Sequence, residues 1–280
     1  MTKKIVSTFA GLARDKPLIM GIVNVTPDSF SDGGETLKAE HAVTRGLAFR
    51  DQGADILDVG GESTRPGAAP VSIDEELNRV IPVVRGLADA GATVSVDTRH
   101  AQVMTAAVEA GAKIINDVTA LTGDPNSLDA AAKSGAAVIL MHMRGEPGTM
   151  QDDPVYEDAA LEVRDYLSDR VRVCEAAGIP RNQIAVDPGI GFGKTVAHNL
   201  DILGRLHLYQ DMALPVVLGV SRKSFIGHVS NGELPKDRVA GSIAAALAGV
   251  AQGVHIVRVH DVAETCQALA VQVAIENATQ

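Results

Sequence analysis

The sequence predicts an α/β fold, a TIM (β/α)8 barrel with a short N-terminal extension. Short runs rich in Val and Ile, typical of strands buried on both faces, alternate with longer helix-like segments. A glycine precedes most of these runs, where it can end the helix before it in the left-handed conformation. Eight such units in a chain of 280 residues, with no Pro- or Ser-rich linker, fit one barrel domain over residues 1–280.

The predicted elements follow one another in strand–helix order. The strands are 18–25, 54–63, 92–98, 112–118, 136–143, 183–189, 215–221 and 254–261. The clearest helical patterns are 39–52, 73–90, 101–110, 159–177 and 238–252. The alternative fold is a doubly wound open sheet, but that fold usually has fewer strands, and no G-x-G-x-x-G motif follows the first strand.

Composition narrows the class of protein. The net charge of −10, without a long Lys/Arg cluster, argues against a nucleic-acid surface. No apolar run approaches the length of about 20 residues that a membrane span needs, and the N-terminus lacks the apolar region of a secretion signal. Cys174 and Cys266 fit no metal or redox spacing. We therefore expect a cytoplasmic protein that binds no nucleic acid and no membrane.

Polar residues stand at the carboxyl ends of the predicted strands, which meet at one mouth of a barrel. They are Asn24, Glu62, Thr64, Arg65, Asp97, Asn116, Asp117, His142, Asp187, Arg222, Lys223, Arg258 and His260. No comparable set stands at the strand beginnings. This one-sidedness predicts a ligand site at that mouth.

Asp97, Asn116 and Asp187 end three different strands. Two carboxylates and an amide in one cavity suit a ligand edge that carries N–H donors. Each residue could instead cap the helix that follows it, a role that Asp and Asn perform well.

Three cationic residues extend this site. Arg258 and His260 are two apart in a strand, so they share one face and suit an anion such as phosphate. The alternative is that Arg258 pairs with a neighbouring carboxylate and His260 is a core histidine. Lys223 could donate to a carbonyl, bind an anion or form a Schiff base, although a lysine in a polar loop is often only solvated.

Three loops complete the mouth. NVTPDSFSDGG follows the first strand from Asn24, and GGESTRPGA follows the second, where Thr64 and Arg65 could contact an anionic or aromatic co-substrate. DPGIGFGKT is no P-loop, because Pro188 stands where the Walker pattern needs glycine. Its glycines could let the backbone approach a flat ligand closely.

Taken together, the motifs resemble those of dihydropteroate synthases of folate biosynthesis. MGIVNVTPDSFSDGG, DVGGESTRPGA, SVDT, IINDV, LMHM, DPGIGFGK, GVSRKSFIG and IVRVHDV occur in that family's order over residues 18–262. The resemblance implies a transferase that condenses 6-hydroxymethyl-7,8-dihydropterin diphosphate with 4-aminobenzoate to give 7,8-dihydropteroate and diphosphate.

The resemblance also implies roles for individual residues. Those for pterin diphosphate are Thr64, Asp97, Asn116, Asp187, Lys223, Arg258 and His260. Those for 4-aminobenzoate are Phe30, Thr64, Arg65, Pro66, Phe192, Lys223 and Ser224. Asn24 would contact the diphosphate through Mg²⁺, and Asn24, Lys223, Arg258 and His260 would carry the catalysis.

The implied chemistry is substitution at the exocyclic methylene of the pterin by a dissociative, S_N1-like path, with loop closure excluding water. The family also implies sulfonamide sensitivity and a homodimer, for which the small-residue-rich helix 240–250 could provide the contact. Three other functions are open. They are a methyltetrahydrofolate:corrinoid methyltransferase, a non-catalytic pterin-binding protein and a Schiff-base aldolase acting through Lys223.

Overall fold

A computed structural model of the chain describes residues 8–25, 35–62, 71–146 and 148–278. The chain opens with a hairpin of β1 (Thr8–Phe9) and β2 (Leu12–Ala13). The strands that follow are β3 (Leu18–Asn24), β4 (Ile56–Gly60), β5 (Val94–Asp97), β6 (Ile114–Asp117), β7 (Ala137–Met141), β8 (Ile184–Asp187), β9 (Val217–Leu218) and β10 (Ile256–Val259). The helices are α1 (Glu35–Asp51), α2 (Ile73–Asp89), α3 (Ala101–Glu109), α4 (Ser127–Ser134), α5 (Ala159–Ala176), α6 (Val196–Gly204), α7 (Ser224–Val229), α8 (Val239–Val250) and α9 (Val262–Asn277).

The strands β3 to β10 form a closed barrel. All of their pairings are parallel, in the order β8-β7-β6-β5-β4-β3-β10-β9. The two ends of this sheet meet through a parallel bridge between Val186 and Val216, and the backbone N–H of Val186 donates to the carbonyl of Pro215 at 3.0 Å. The predicted (β/α)8 barrel is therefore confirmed, and the open-sheet alternative is wrong.

The predicted helices agree with the observed ones to within four residues at each end. α1 begins at Glu35, four residues before the predicted start, whereas α2, α3 and α5 begin where predicted. The helix-ending glycines adopt the expected backbone, with φ of 109° at Gly53 and 110° at Gly111. Among the described residues, no helix combines the length and the apolar character that a membrane span requires.

The amino-terminal half of the barrel interior is apolar. Leu18, Met20, Ile56 and Ile139 are packed there with little or no exposure. The N-terminal extension, for which the sequence predicted no structure, is the β1–β2 hairpin, and its Phe9 is fully buried in the same cluster. The extension thus closes the end of the barrel opposite the predicted site.

Candidate active site

Polar side chains occupy the carboxyl-terminal half of the barrel interior. Successive side chains point to opposite faces of a strand. On β4, Leu57 and Val59 pack outward in the larger core cluster, whereas Ile56 and Asp58 face inward. The same alternation brings polar residues of the other strands inside the mouth, and these are Asn24, Asp97, Asn116, Asp187 and Arg258.

Arg258 lies at the centre of this polar layer. Its Nε donates to Oδ2 of Asp58 at 2.7 Å, and its Nη2 donates to Oδ2 of Asp97 at 2.6 Å. The Nδ2 of Asn116 donates to the same oxygen of Asp58 at 3.2 Å. Four strands, β4, β5, β6 and β10, are thereby joined by side chains across the barrel. The carboxylate pairing that was the alternative for Arg258 is present here.

Burial and neighbouring charges shift the pKa values of these groups. Removal from water raises the pKa of Asp97 to about 7, although the charge of Arg258 opposes the shift. Burial also raises the pKa of Asp187, against the nearby charge of Lys223. The pKa of Arg258 lies above its usual value, because the carboxylates of Asp58 and Asp97 outweigh the effect of burial. The layer thus holds one carboxyl group, that of Asp97, that can either accept or donate a hydrogen bond near neutral pH.

Lys223 connects the polar layer to the loop after β8. Its Nζ donates to the carbonyl of Ile190 and lies 4.5 Å from the centroid of the Phe192 ring, a cation–π distance. Burial lowers the pKa of Lys223 to about 8, whereas the charge of Asp187 raises it. The Oδ1 of Asp187 accepts from the backbone N–H of Gly189 at 2.7 Å. An ammonium, a carboxyl group and an aromatic face therefore adjoin one another.

His260 and Asn24 flank this arrangement. His260 lies beyond β10 on the same face as Arg258, and its Nδ1 is 3.0 Å from Oγ of Ser221. Asn24 is the last residue of β3, is half-buried and pairs in register with Gly60, which in turn pairs with Asp97. A histidine and an amide thus stand at the rim where a ligand's tail would leave the barrel.

Comparison with known proteins agrees with this geometry. The profile of the pterin binding enzyme family matches residues 20–260. The dihydropteroate synthase of Escherichia coli strain K12 is 48% identical over 256 residues, which are 91% of this chain and 90% of that protein. The chain belongs to the dihydropteroate synthase family.

Solved structures of the same family have the same fold. A structure of the Xanthomonas albilineans dihydropteroate synthase with 4-aminobenzoic acid superimposes with a TM-score of 0.89 at 49% identity, over 95% of each chain. The Yersinia pestis dihydropteroate synthase in a sulfonamide complex superimposes with a TM-score of 0.90 at 45% identity, over 95% of this chain and 98% of that one.

In this member of the dihydropteroate synthase family, the predicted acceptors do not cap helices. Asp97 contacts Arg258, Asn116 contacts Asp58, and Asp187 accepts from its own loop. The N-caps of α3, α4 and α6 are instead His100, Asn126 and Thr195. The capping alternative is therefore wrong.

Several residues predicted at the mouth lie elsewhere or cannot be placed. Phe30, Thr64, Arg65 and Pro66 fall outside the described residues, so their roles stay predictions. Asp117 faces outward and accepts from the backbone N–H groups of Thr119 and Leu121.

Two charged residues of the predicted set pair beside the interior layer. Arg222 pairs with Asp261, and Glu62 pairs with Arg99 at 3.0 Å. Ser224, the first residue of α7, is exposed beside Lys223. Of the residues predicted for 4-aminobenzoate, Phe192, Lys223 and Ser224 are thus described.

Asp58 is the residue that the sequence analysis missed. It is 0% exposed, it holds both Arg258 and Asn116, and its Oδ1 has no hydrogen-bond partner among the described residues. The predicted site residues lie at or near strand ends, whereas Asp58 lies two residues before the end of β4. The available signal was a lone carboxylate on the inward face of the run ILDVG.

The magnesium ion that the family resemblance implies is compatible with these residues. Asn24 offers one amide oxygen at the rim, a ligand type that hard cations prefer. The described residues contain no cluster of three or more His, Cys, Asp or Glu side chains able to hold a metal. Asn24 would be one protein ligand of such an ion, a role that stays a prediction.

Proposed function

We propose that this chain is the transferase that condenses 6-hydroxymethyl-7,8-dihydropterin diphosphate with 4-aminobenzoate, giving 7,8-dihydropteroate and diphosphate. One observation supports this most strongly. In a chain of this family, Asp97, Asn116, Asp187, Lys223 and Arg258 come from five different strands or strand ends and meet in one half of the barrel interior. Such convergence matches a polar, flat ligand inserted into the mouth.

The pterin ring would lie among the carboxyl, amide and ammonium groups. Its pyrimidinone edge carries an amino group and a ring N–H beside a carbonyl. Asp97, Asn116 and Asp187 would pair with that edge, and Lys223 would donate to the carbonyl. The raised pKa of Asp97 would let its carboxyl group either accept a hydrogen bond from that edge or donate one to it. Analogues that lack a matching group would leave buried polar atoms unpaired and would bind poorly.

The diphosphate would lie at Arg258 and His260, with Thr64 as a further contact. Arg258 is already oriented by Asp58 and Asp97, so its position needs little rearrangement when the substrate binds. A guanidinium held in place is suited to stabilising the charge that develops on a leaving diphosphate. Mg²⁺ held by Asn24 and the phosphate oxygens would supply further charge stabilisation when bound.

The 4-aminobenzoate would enter between the loops above the mouth. Phe192, Lys223 and Ser224 would form one wall, and Phe30, Thr64, Arg65 and Pro66 the other. The arylamine is nucleophilic without a strong base. An S_N1-like departure of diphosphate followed by amine attack would need water excluded, because water would trap the cation as the alcohol. Sulfonamides, which imitate aminobenzoate, would compete for this wall.

We further propose a homodimer in the cytoplasm. Val271 and Ile275 of α9 are 56% and 62% exposed, and α8 presents Ala240, Ala244 and Ala248 at the surface. Two neighbouring helices with small and apolar exposed residues suit close packing against a second copy.

One assay tests the proposed reaction against its rivals. The protein is incubated with both substrates and Mg²⁺, and released diphosphate and 7,8-dihydropteroate are quantified. We expect both products in equal amounts, and none without aminobenzoate. Methyl transfer from methyltetrahydrofolate to cobalamin would indicate the corrinoid methyltransferase. Binding of pterin diphosphate without product would indicate a non-catalytic protein, and an adduct trapped by borohydride would indicate the aldolase.

A further inference from the structure

A buried lysine lies beside the candidate site and has no part in the proposed reaction. Lys194 belongs to the segment of residues 188–195 that joins β8 to α6, here called the β8 loop. Only 2% of the residue is exposed, although lysine is almost never fully buried without partners. The partners of its Nζ atom therefore show which part of the structure it supports.

The Nζ of Lys194 donates to acceptors that surround it. Its Nζ donates to the carbonyls of Gly189 at 2.9 Å and Phe192 at 3.0 Å, and it lies 2.9 Å from Nδ1 of His142. Burial lowers the pKa of His142 to about 2, so that imidazole is neutral and its Nδ1 can accept. The carbonyl of His142 at 3.3 Å is a fourth acceptor near Nζ. Burial lowers the pKa of Lys194 well below its usual value, and these four contacts offset the cost of burying its amino group.

Other side chains donate to three further carbonyls of the β8 loop. Lys223 donates to Ile190, Gln151 donates to Gly191 at 2.6 Å, and Tyr156 donates to Gly193 at 2.8 Å. The loop also lies directly on the backbone after β7, because a Cβ at Gly189 or Gly193 would collide with the carbonyl oxygen of His142 or Arg144. The glycines of this loop therefore permit packing of one loop on another. The close approach of this loop to a flat ligand stays a prediction.

The position of Lys223 depends on this loop. The ammonium of Lys223 contacts the Ile190 carbonyl and the Phe192 ring, and Lys194 holds the carbonyls on either side of Ile190, those of Gly189 and Phe192. Gly191 also packs against the stem of Lys223, since a Cβ there would lie 3.2 Å from its Cδ. Without the Nζ donor of Lys194, the loop would let both the Phe192 ring and the Ile190 carbonyl move away from Lys223.

We propose that Lys194 is a positioning residue for the aminobenzoate side of the site, because it holds the β8 loop in the conformation that sets Phe192 against Lys223. The inference rests on the proposed function. The loop should matter most for 4-aminobenzoate, because Phe192 belongs to the loop itself. Of the pterin-facing groups, Asp187 and Lys223 contact the loop, whereas Asp97, Asn116 and Arg258 are joined to one another through Asp58 on β4.

The test is the variant Lys194→Met, which comes close to the length of the lysine side chain and removes its N–H donors. We expect KM for 4-aminobenzoate to rise about tenfold, since small misplacements of a bound group cost one to two orders of magnitude. We expect KM for pterin diphosphate to rise less, by about threefold, because only Asp187 and Lys223 of the pterin-facing groups contact the loop. Lys133→Met removes an exposed lysine of α4 and serves as the matched control, with both constants unchanged.

A double-mutant cycle separates positioning from general loosening. Phe192→Leu is made alone and together with Lys194→Met. If Lys194 acts through Phe192, its effect on KM for aminobenzoate shrinks to less than threefold in the Phe192→Leu background, since coupled residues are not additive. Full additivity, or an equal rise of KM for both substrates, overturns the proposal.

Two further measurements distinguish failure of this proposal from misfolding of the variant and from failure of the proposed function. Thermal unfolding and far-ultraviolet circular dichroism show whether Lys194→Met folds. If it does not, Lys194→Gln retains two N–H donors without the charge, and we expect a rise of about threefold in KM for aminobenzoate. An unchanged KM in either folded variant overturns the proposal. Absence of turnover in the unmodified protein would instead count against the proposed function.

Discussion

At the residue scale, the candidate site depends on the pairing of Arg258 with Asp58, a partner that the sequence alone did not reveal. Asp97, Asn116 and Asp187 were found because each ends or nearly ends a strand before a change of chain direction. Asp58 was missed because its role depends on which face of β4 points inward and on β10 lying next to β3, which lies next to β4. Neither fact can be derived from the order of residues in one strand.

Asp58 is expected to orient Arg258 for the leaving diphosphate. Asp58→Asn keeps the shape of the side chain and removes its charge, so one charge-assisted hydrogen bond to Arg258 is weakened. We expect kcat/KM for pterin diphosphate to fall about tenfold, equivalent to about 1.4 kcal/mol of transition-state stabilisation. Steady-state kinetics measure this. Asp129→Asn, which removes an exposed partner of Lys133, is the control, and an Asp58→Asn enzyme as active as that control would contradict the role.

The titration of Asp97 predicts how stability depends on pH. Its pKa in the folded protein is about 7, raised from an ordinary value of 3.8, so the folded state binds a proton more tightly than the unfolded state does. The contribution of this proton is complete below pH 3.8 and is lost as the pH rises through about 7. Urea unfolding of the unmodified protein and Asp97→Asn at several pH values measures it.

We expect the free energy of unfolding of the unmodified protein, minus that of Asp97→Asn, to decrease between pH 5 and pH 7 and to level off above pH 8, because Asn does not titrate. A difference that is constant across this range would show that Asp97 has an ordinary pKa.

At the element scale, the helices and barrel strands were predictable because each pattern is local. Val- and Ile-rich runs bounded by glycine specify buried strands, and the observed strands lie within the predicted ranges. The hairpin of β1 and β2 was not predictable, because Phe9 becomes buried only once β3, β4, β6 and β10 have assembled the pocket that receives it. β9 is shorter than predicted, with regular pairing over Val217–Leu218 alone.

The hairpin is expected to stabilise the barrel without affecting its chemistry. Phe9→Ala removes a fully buried aromatic ring at the end of the barrel opposite the site, and we expect a loss of about 3–5 kcal/mol in the free energy of unfolding. KM for either substrate should stay within twofold. Chemical denaturation and kinetics on the same preparation measure both. Phe9→Leu, which leaves a smaller cavity, should lose less, and equal losses in the two variants would contradict a packing role.

At the scale of the whole molecule, the barrel explains why residues far apart in the chain act together. Arg258 and Asp58 are 200 positions apart and bond at 2.7 Å, because parallel strands all deliver their carboxyl ends to one mouth. The sequence could therefore predict which mouth holds the site. It could not predict that Arg258 is held by two carboxylates in the protein alone, since that needs the interior distances.

The proposed dimer predicts a change of mass in solution. Replacing both Val271 and Ile275 by Asp places charges on the exposed face of α9, and we expect light scattering coupled to size-exclusion chromatography to report one copy instead of two. Val155→Asp changes an apolar residue that is 66% exposed outside α8 and α9, and should leave the mass unchanged. A single copy in the unmodified protein would contradict the proposal.

The most direct test of the central claim is a crystal structure of this protein with pterin diphosphate and Mg²⁺ bound. We predict the bicyclic ring among Asp97, Asn116, Asp187 and Lys223, with the diphosphate at Arg258 and His260 and the ion at Asn24. A ring bound elsewhere on the molecule, or one in the mouth with its diphosphate turned away from Arg258, would contradict the account.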